Sequence, residues 1–283
     1  MQILLILAVL AISGYRWAIY TLLALYATLL LPPKPVLWGA FCRSPVFRTW
    51  RQYFSFSYVF DEVLDSKKHY IFAEFPHGVF PMGPLLGATE CQRMFPGFDI
   101  YGLAANVVFA VPFWRHFIAW LGSVPATSSH FKKVLSKGSV AVIVGGIAEM
   151  YLQCTKKEQV VLKDRKGFVR VAVEQGCDGG ILPVYHFGNS SVLSFGPQSL
   201  QGLSRSLRAA LGMLYGRWYL PVPRRREIYM CVGKPIPVTR VPKDDPKFEA
   251  AVEEVHAKVV QGLAELYERH KEEYGETRPL VIN

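Results

Sequence analysis

The sequence predicts an α/β fold in which a mixed sheet is flanked by helices and preceded by an N-terminal hydrophobic membrane anchor. Short apolar runs alternate with helical patterns along most of the 283 residues, as they do when helices cover a sheet. Residues 1–31 are apolar or small and carry one charged side chain, Arg16. We therefore expect the anchor over residues 1–33. Residues 34–283 show no repeat or Gly/Ser linker and are long enough for one large domain or two small ones; we expect a single domain.

The composition excludes several classes of protein. A hydrophobic fraction of 51% with a charged fraction of 19% excludes intrinsic disorder, and five cysteines are too few for a disulfide scaffold. The net charge of +10 suggests an anionic partner: a nucleic acid, a phosphorylated substrate or an acidic membrane surface. Walker A, G-x-G-x-x-G, G-x-S-x-G and H-E-x-x-H sequences are absent, as are nucleic-acid modules, which argues against the common functions that use them.

The N-terminal apolar segment fits two geometries. As one helix it would be about 46 Å long, more than the ~30 Å core of a bilayer, and Pro32 and Pro33 would end it. It would then span the membrane once, to either side of Arg16. Alternatively it forms a hairpin that turns at residues 13–16, with arms too short to cross fully. A cleaved signal peptide fits less well, because the segment lacks a basic start and is too long.

The charges that follow the anchor predict its orientation. Lys34, Arg43, Arg48 and Arg51 precede the first acidic residue, Asp61, so the positive-inside tendency places the rest of the chain in the cytosol. In that reducing compartment we expect the five cysteines, which form no C-x-x-C pair, to be free buried thiols.

Apolar periodicity predicts the main elements of the domain. From Leu200 to Trp218 apolar residues recur every three or four positions, which indicates a basic amphipathic helix that either lies in a membrane interface or packs on the core. A terminal helix with a solvated Glu/Lys face is expected from about Asp245 to Tyr274. Five short apolar runs predict strands: His69 to Phe75, Phe98 to Ala104, Ser139 to Val144, Gly180 to Tyr185 and Glu227 to Val232.

The first of these strands runs into Pro76-His77-Gly78, which makes His77 a candidate general base. Strand ends are where α/β sheets carry their sites, and an imidazole with a pKa near ~6.5 can accept a proton from an alcohol at neutral pH. Taken alone, the motif would more often be a histidine bonded to backbone in a turn.

Two further segments add to this candidate site. Gly145 and Gly146 end another buried strand and allow close backbone approach, and Glu149, which follows, could orient His77 or line the pocket. Residues 163–170 place four cations around a glycine near a helix start, an arrangement that suits phosphate groups.

Together these motifs resemble the diacylglycerol acyltransferase type 2 family, which includes monoacylglycerol and wax-alcohol acyltransferases. The matching blocks occur in the family's order and cover about residues 70–238, and the apolar N-terminus agrees. They are Phe75-Pro76-His77-Gly78, Gly145-Gly146-x-x-Glu149, Arg165-x-Gly167-Phe168-x-Arg170 continued by Leu182-Pro183-Val184-x-x-Phe187-Gly188, and Val232-Gly233-Lys234-Pro235-Ile236, with Pro112-Phe113-x-Arg115 also fitting.

This chain departs from the family pattern at three positions. Phe75 replaces the polar residue that usually begins the first motif, so it has no proton chemistry to contribute. Asn189 stands where the family commonly has Glu. The related enzymes that make phosphatidic acid use His-x-x-x-x-Asp, and here Met82 occupies the acidic position, which favours the neutral-lipid branch.

The resemblance implies that the domain transfers a fatty acyl group from acyl-CoA to diacylglycerol, giving triacylglycerol and free CoA, with His77 as general base. Glu149, rather than Glu74, is the favoured orienting carboxylate. Backbone N–H groups near Pro76, Gly78, Gly145 and Gly146 are candidates for the oxyanion hole. The candidates for binding acyl-CoA are Arg115, Lys132, Lys133, Arg165, Gly167, Phe168 and Arg170.

Two other functions stay open: the same chemistry on monoacylglycerol or a long-chain alcohol, and a non-enzymatic lipid-binding membrane protein of the same fold. The expected partners are acyl-CoA, a lipid alcohol and membrane lipids. Acyl-CoA is a co-substrate, and no metal or other cofactor is implied. The expected location is the endoplasmic reticulum membrane with the active domain facing the cytosol, and a hairpin anchor would also allow movement to lipid droplets.

Overall fold

A computed structural model describes residues 2–152, 156–207 and 212–283. The strands are β1 (Ser57–Phe60), β2 (Tyr70–Phe75), β3 (Ile100–Ala104), β4 (Ser123–Pro125), β5 (Ser139–Ile143), β6 (Glu158–Val160), β7 (Cys177–Phe187), β8 (Ser194–Gly196), β9 (Met213–Tyr215), β10 (Tyr229–Val232), β11 (Ile236–Val238) and β12 (Leu280–Ile282). The α-helices are α1 (Gln2–Ile12), α2 (Arg16–Ala27), α3 (Gly39–Cys42), α4 (Pro45–Tyr53), α5 (Met82–Met94), α6 (Trp114–Ala119), α7 (Ser128–Leu135), α8 (Ile147–Met150), α9 (Gly167–Gln175), α10 (Asn189–Val192), α11 (Gln201–Leu207) and α12 (Phe248–Tyr274).

The predicted mixed sheet is confirmed. Its strands follow the order β1-β10-β7-β2-β5-β3-β4, with β11 added beside β7. Strands β7, β2, β5, β3 and β4 are mutually parallel, whereas β10 and β11 run antiparallel to β7. Because parallel strands end at the same edge, the segments that follow β2, β5, β3 and β7 emerge together there.

Helices cover both faces of the sheet. In β2 every residue is buried, and alternate side chains belong to different cores. Ile71 and Phe75 pack in the core formed with α7, α9 and α12, whereas Tyr70 and Phe72 pack with Cys91 and other residues of α5. Burial on both faces explains why this strand reads as a continuous apolar run.

Most of the elements predicted from periodicity are confirmed, with one exception. The five predicted strands correspond to β2, β3, β5, β7 and β10, and the terminal helix to α12, whose apolar stripe is buried. The helix predicted from Leu200 to Trp218 is wrong from Gly212 onward. Leu214 lies in β9, paired with β8, and Trp218 lies in a turn with φ +54°. Residues 213–215 form a strand because they pair with β8, although their apolar spacing is that of a helix. Residues 208–211 lie outside the described ranges.

The N-terminal segment is a helical hairpin, so the single long helix is wrong. Helices α1 and α2, of 11 and 12 residues, are about 17 and 18 Å long and pack against each other around a break at residues 13–15, where Gly14 has φ +89°. Within the described ranges, no helix combines the length and apolar composition needed to cross a bilayer.

The hairpin is tied to the domain through its last turn. The Thr28 hydroxyl accepts a hydrogen bond from the Phe113 backbone N–H at 2.8 Å, and the Thr28 carbonyl lies 2.8 Å from His116 Nε2. Both partners lie at α6, which follows β3.

The cysteines that the structure describes behave as expected. Cys42, Cys91, Cys177 and Cys231 are free and buried, and burial raises their thiol pKa values, to about 11 for Cys42. The fifth, Cys154, lies outside the described residues.

Candidate active site

His77 lies just beyond the carboxyl end of β2, at the sheet edge where the neighbouring parallel strands also end. A cis Phe75–Pro76 peptide precedes it and Gly78 follows with φ +58°, a backbone conformation that favours glycine. A Cβ at Gly78 would lie 3.0 Å from the amide nitrogen of Asn189. The His77 side chain is neither sealed in the interior nor fully exposed.

The hydrogen bonding of the imidazole selects one tautomer. Nδ1 lies 2.9 Å from the carbonyl oxygen of Gly78, which can only accept, so Nδ1 carries the proton and donates. The lone pair is therefore on Nε2. Burial lowers the pKa of His77 below its ordinary value of 6.5, with the Gly78 carbonyl opposing the shift, so the ring is neutral at pH 7.

Glu149 holds the backbone of His77 rather than its ring, which corrects the predicted orienting role. Glu149 Oε2 accepts the His77 backbone N–H at 2.5 Å, and Oε1 accepts the backbone N–H of Val161 at 2.7 Å. The carboxylate thus joins the turn after β2 to the end of β6. Glu149 is therefore a positioning residue, because Nδ1 of His77 binds the backbone carbonyl of Gly78 and not this carboxylate.

The two glycines of the second motif make room for this carboxylate. A Cβ at Gly145 would lie 1.9 Å from Glu149 Cδ, so only glycine fits beneath it. Gly146 precedes α8 and has φ +61°, with open space where its Cβ would stand. The turn therefore explains the Gly-Gly-x-x-Glu spacing in terms of packing and backbone conformation.

Burial dominates the ionisation of Glu149. It raises the pKa of the carboxyl group to about 7, and the N–H groups of Val161, His77 and Gly78, with the charge of Arg165, limit the rise. The Gly78 amide thus interacts with Glu149. The predicted oxyanion role of the Gly78, Gly145 and Gly146 amides stays a prediction.

Asn189 is a positioning residue that the sequence analysis missed. Its side-chain oxygen accepts the backbone N–H of Gly83 at 3.0 Å, and its nitrogen donates to the carbonyls of Pro76 at 2.9 Å and His77 at 3.2 Å. It is buried and follows β7, the parallel neighbour of β2. A small polar residue directly after a strand of this edge was the available signal.

Glu74, the alternative orienting carboxylate, pairs with a different histidine. Its Oε2 lies 3.7 Å from Nε2 of His186, which is fully buried on the α5 side of the sheet. Neither ring nitrogen of His186 has a hydrogen-bond partner among the residues that the structure describes. Glu74 points to the opposite face from Phe75 in β2.

The predicted acyl-CoA ligands do not form one cluster of free cations. Lys132 pairs with Glu174 at 2.5 Å, and Arg170 binds Glu249 through both guanidinium nitrogens, at 2.8 and 2.5 Å. Arg115 donates to the Leu29 carbonyl of the hairpin at 3.3 Å.

The remaining candidates divide into exposed and buried residues. Lys133 and Arg165 are exposed, and within the described part of the chain no carboxylate forms a salt bridge with either. Gly167 is the exposed first residue of α9, whereas Phe168 is buried in the core on that face of the sheet. Arg165 is the cation whose charge acts on Glu149.

No three histidine, cysteine, aspartate or glutamate side chains in the described ranges lie close enough to hold one metal ion. Two surface concavities, one at residues 215–219 and one between β11 and α12, are not lined by His77.

Comparison with known proteins identifies the family. A family model described as diacylglycerol acyltransferase matches residues 13–283. The chain is 32% identical to bovine diacylglycerol O-acyltransferase 2-like protein 6 over 265 residues, which are 84% of this chain and 77% of that protein. It is 31% identical to bovine diacylglycerol O-acyltransferase 2, with 84% and 71% coverage, and 30% identical to mouse 2-acylglycerol O-acyltransferase 1, with 82% and 74% coverage. The chain with this histidine turn is therefore an acyltransferase that belongs to the diacylglycerol acyltransferase family.

Proposed function

We propose that this chain transfers a fatty acyl group from acyl-CoA to the hydroxyl of diacylglycerol, with His77 as general base. The observation that carries the proposal is the hydrogen bond from Nδ1 to the Gly78 carbonyl, which leaves an unprotonated Nε2 on a neutral ring at the sheet edge. The family membership and the 31% identity to bovine diacylglycerol O-acyltransferase 2 support the reaction class.

The chemistry needs no covalent enzyme intermediate, because the thioester is already activated. His77 Nε2 takes the proton from the acceptor hydroxyl as that oxygen attacks the thioester carbonyl carbon. The tetrahedral intermediate then collapses, the C–S bond breaks, and the proton passes from the imidazolium to the departing sulfur. Triacylglycerol and free CoA are the products.

Glu149 and Asn189 support this step by holding the turn that carries the ring. Glu149 binds the backbone N–H of His77, and Asn189 binds its carbonyl, so both sides of the residue are fixed. Preorganised groups of this kind reduce the cost of aligning the base with the hydroxyl.

Arg165 and Lys133 are the cations best suited to the CoA phosphates. They are exposed, whereas Lys132 and Arg170 would have to leave Glu174 and Glu249 before binding an anion. An Arg165→Gln variant should therefore raise the KM for acyl-CoA more than an Arg170→Gln variant does.

The hairpin supports a membrane location for the enzyme. Many of its apolar side chains are exposed, which is unfavourable in water. We therefore place the hairpin in the interface of the endoplasmic reticulum membrane, with residues 34–283 on the cytosolic side. The exposed side chains include Leu5, Ile6, Val9, Ile12, Trp17, Tyr20, Leu23 and Leu30.

Monoacylglycerol is the second candidate acceptor. The 30% identity to mouse 2-acylglycerol O-acyltransferase 1 is close to the identity with the diacylglycerol enzyme, and the turn around His77 serves the reaction rather than the choice of alcohol. An acceptor panel that includes a long-chain alcohol separates these substrates.

The test uses membranes that contain the wild type, His77→Ala or His130→Ala, with labelled acyl-CoA and each acceptor. His130 is a matched control, because it is also partly exposed but contacts Thr127, the N-cap of α7, through its ring and its backbone N–H. Labelled triacylglycerol is expected from the wild type and from His130→Ala, and not from His77→Ala. Equal product from His77→Ala would remove that residue from the mechanism, and product only with another acceptor would change the substrate.

A further inference from the structure

The segment after β9 presents large aromatic side chains to solvent. Trp218 is 70% exposed and Tyr219 is 87% exposed, and Leu220 and Val222 beside them are also exposed. We call residues 213–222 the aromatic loop. Rings of this size are usually placed where they bury their apolar surface, so their exposure indicates a contact surface.

The backbone of the aromatic loop fixes this presentation. Trp218 and Tyr219 have φ values of +54° and +59°, a region that side chains other than glycine rarely adopt. The turn is closed by hydrogen bonds from the backbone N–H of Gly216 to the Leu220 carbonyl, at 2.7 Å, and from that of Arg217 to the Val222 carbonyl, at 2.8 Å. The rings are therefore held outward by a closed turn.

The base of the loop is fastened to the domain. Leu214 packs against the cluster that also contains Val79 and Met82, the residues that follow the His77 turn. Beyond the loop, the Arg224 backbone N–H donates to the Val192 carbonyl at 2.9 Å, and the Tyr53 hydroxyl donates to the Pro223 carbonyl at 2.7 Å. The loop therefore projects from a packed support.

The loop and the chain leading to it are rich in arginine, and the first acidic residue beyond them is the exposed Glu227. Residues 179–226 contain six arginines and no acidic residue. Arg217 lies over the Trp218 ring at 4.4 Å, and Arg225 and Arg226 are exposed at the base of the loop. An open concavity of about 550 Å³ beside the rings is lined by Arg217 and Arg224 and by no carboxylate.

The loop lies at the same edge of the sheet as the candidate active site. Its flank is bonded to the segment just after β7, because the Arg224 backbone N–H donates to the Val192 carbonyl. Strand β7 is parallel to β2, which His77 follows. The hairpin docks on α6, which follows β3 at that edge. Two separate apolar surfaces therefore flank the site where a lipid has to enter.

We propose that the aromatic loop is a second membrane-contact element that docks this edge on an anionic bilayer. Trp218, Tyr219 and Leu220 enter the headgroup region, where Trp and Tyr side chains are enriched, and the neighbouring arginines bind lipid phosphates. The charge argues for a bilayer rather than a second copy of this chain, because two copies would bring two arginine-rich surfaces together. The proposal is independent of which alcohol the enzyme acylates.

The test compares the purified full chain on vesicles of phosphatidylcholine alone and of phosphatidylcholine mixed with phosphatidylserine. Hydrogen exchange of residues 213–226 should slow when the mixed vesicles are added. In co-sedimentation, an Arg225→Gln/Arg226→Gln variant should bind the mixed vesicles about thirty-fold more weakly, with little change on phosphatidylcholine alone. A Trp218→Ser/Tyr219→Ser variant should bind both more weakly.

Val63→Ser is the matched control, because Val63 is equally exposed but precedes β2 at the other edge of the sheet, and it should bind like the wild type. All variants should unfold at the wild-type temperature and acylate detergent-dispersed acceptor at the wild-type rate, which separates docking from catalysis. Unchanged exchange in the loop on adding vesicles, or wild-type binding by both loop variants, would overturn the proposal. So would protection of the loop that depends on protein concentration without lipid, since that would indicate self-association.

Discussion

Substituting Gly145 tests how the base is positioned without touching the base. In Gly145→Ala the new Cβ would lie 1.9 Å from Glu149 Cδ and 2.1 and 2.3 Å from its two carboxylate oxygens. Atoms cannot remain so close, so the carboxylate must leave the backbone N–H groups of His77 and Val161. The backbone of His77 then loses the partner that fixes it.

The size of the effect follows from those two hydrogen bonds. Leaving a buried donor without its partner costs about 1–3 kcal/mol, so losing both bonds removes about 2–6 kcal/mol from the free energy of unfolding. That is a large part of the ~5–15 kcal/mol that stabilises a typical domain. Where the variant stays folded, a displacement of the ring by about 1 Å should lower the rate of acyl transfer about 100-fold.

The measurements are thermal unfolding and acyl transfer of the purified protein in detergent. Gly202→Ala in α11 is the matched control, because a Cβ there has no heavy atom within 4 Å, and it should lose neither stability nor activity. In a protein that already carries Glu149→Ala, adding Gly145→Ala should lower stability and activity little further, because the carboxylate that the new Cβ would displace is absent. Wild-type stability and activity in Gly145→Ala would refute the reasoning. So would a loss of stability on adding Gly145→Ala to Glu149→Ala that is as large as the loss in the wild type.

Three further predictions concern the same turn. Asn189→Ala loses its hydrogen bonds to Gly83 and to the carbonyls beside His77, so kcat should fall about 100-fold with little change in KM; a large change in KM alone would point to substrate binding instead. Because burial lowers the pKa of His77, the acidic limb of the kcat/KM profile should have its midpoint below pH 6.5, and a midpoint above that value would contradict a desolvated base. Burial raises the pKa of Glu149 to about 7 from its ordinary 4.5, so the folded state holds more protons than the unfolded state between those values; stability should therefore fall as pH rises from about 4.5 to 7, and Glu149→Gln should flatten that slope in chemical unfolding.

Much of the fold could be predicted because its signals are local. The apolar runs of β2, β5 and β7 reflect strands buried on both faces, and α12 shows its core stripe at helical spacing. The meeting of the His77 turn with the Gly145 turn also followed from the sequence, since parallel strands end at one edge.

The errors arose where contacts that residue spacing does not record decide the structure. Apolar spacing from Leu200 to Trp218 suggested one helix, but strand pairing between β8 and β9 determines the conformation of Leu214. Glu149 was expected at the imidazole because carboxylates often orient histidines. The spacing of residues does not show that the backbone carbonyl of the next residue, Gly78, is the group that binds Nδ1 of His77.

The sequence by itself determined that a helix-covered mixed sheet carries a histidine turn beside a glycine turn. Apolar runs indicate the buried strands, and proline and glycine residues indicate where those strands end. Only the tertiary structure decided what each side chain of that turn does. Hydrogen-bond partners depend on positioning to within a few tenths of an ångström between segments more than 70 residues apart, as between His77 and Glu149 or Asn189. The outward aromatic loop was likewise decided by backbone geometry that residue spacing does not record.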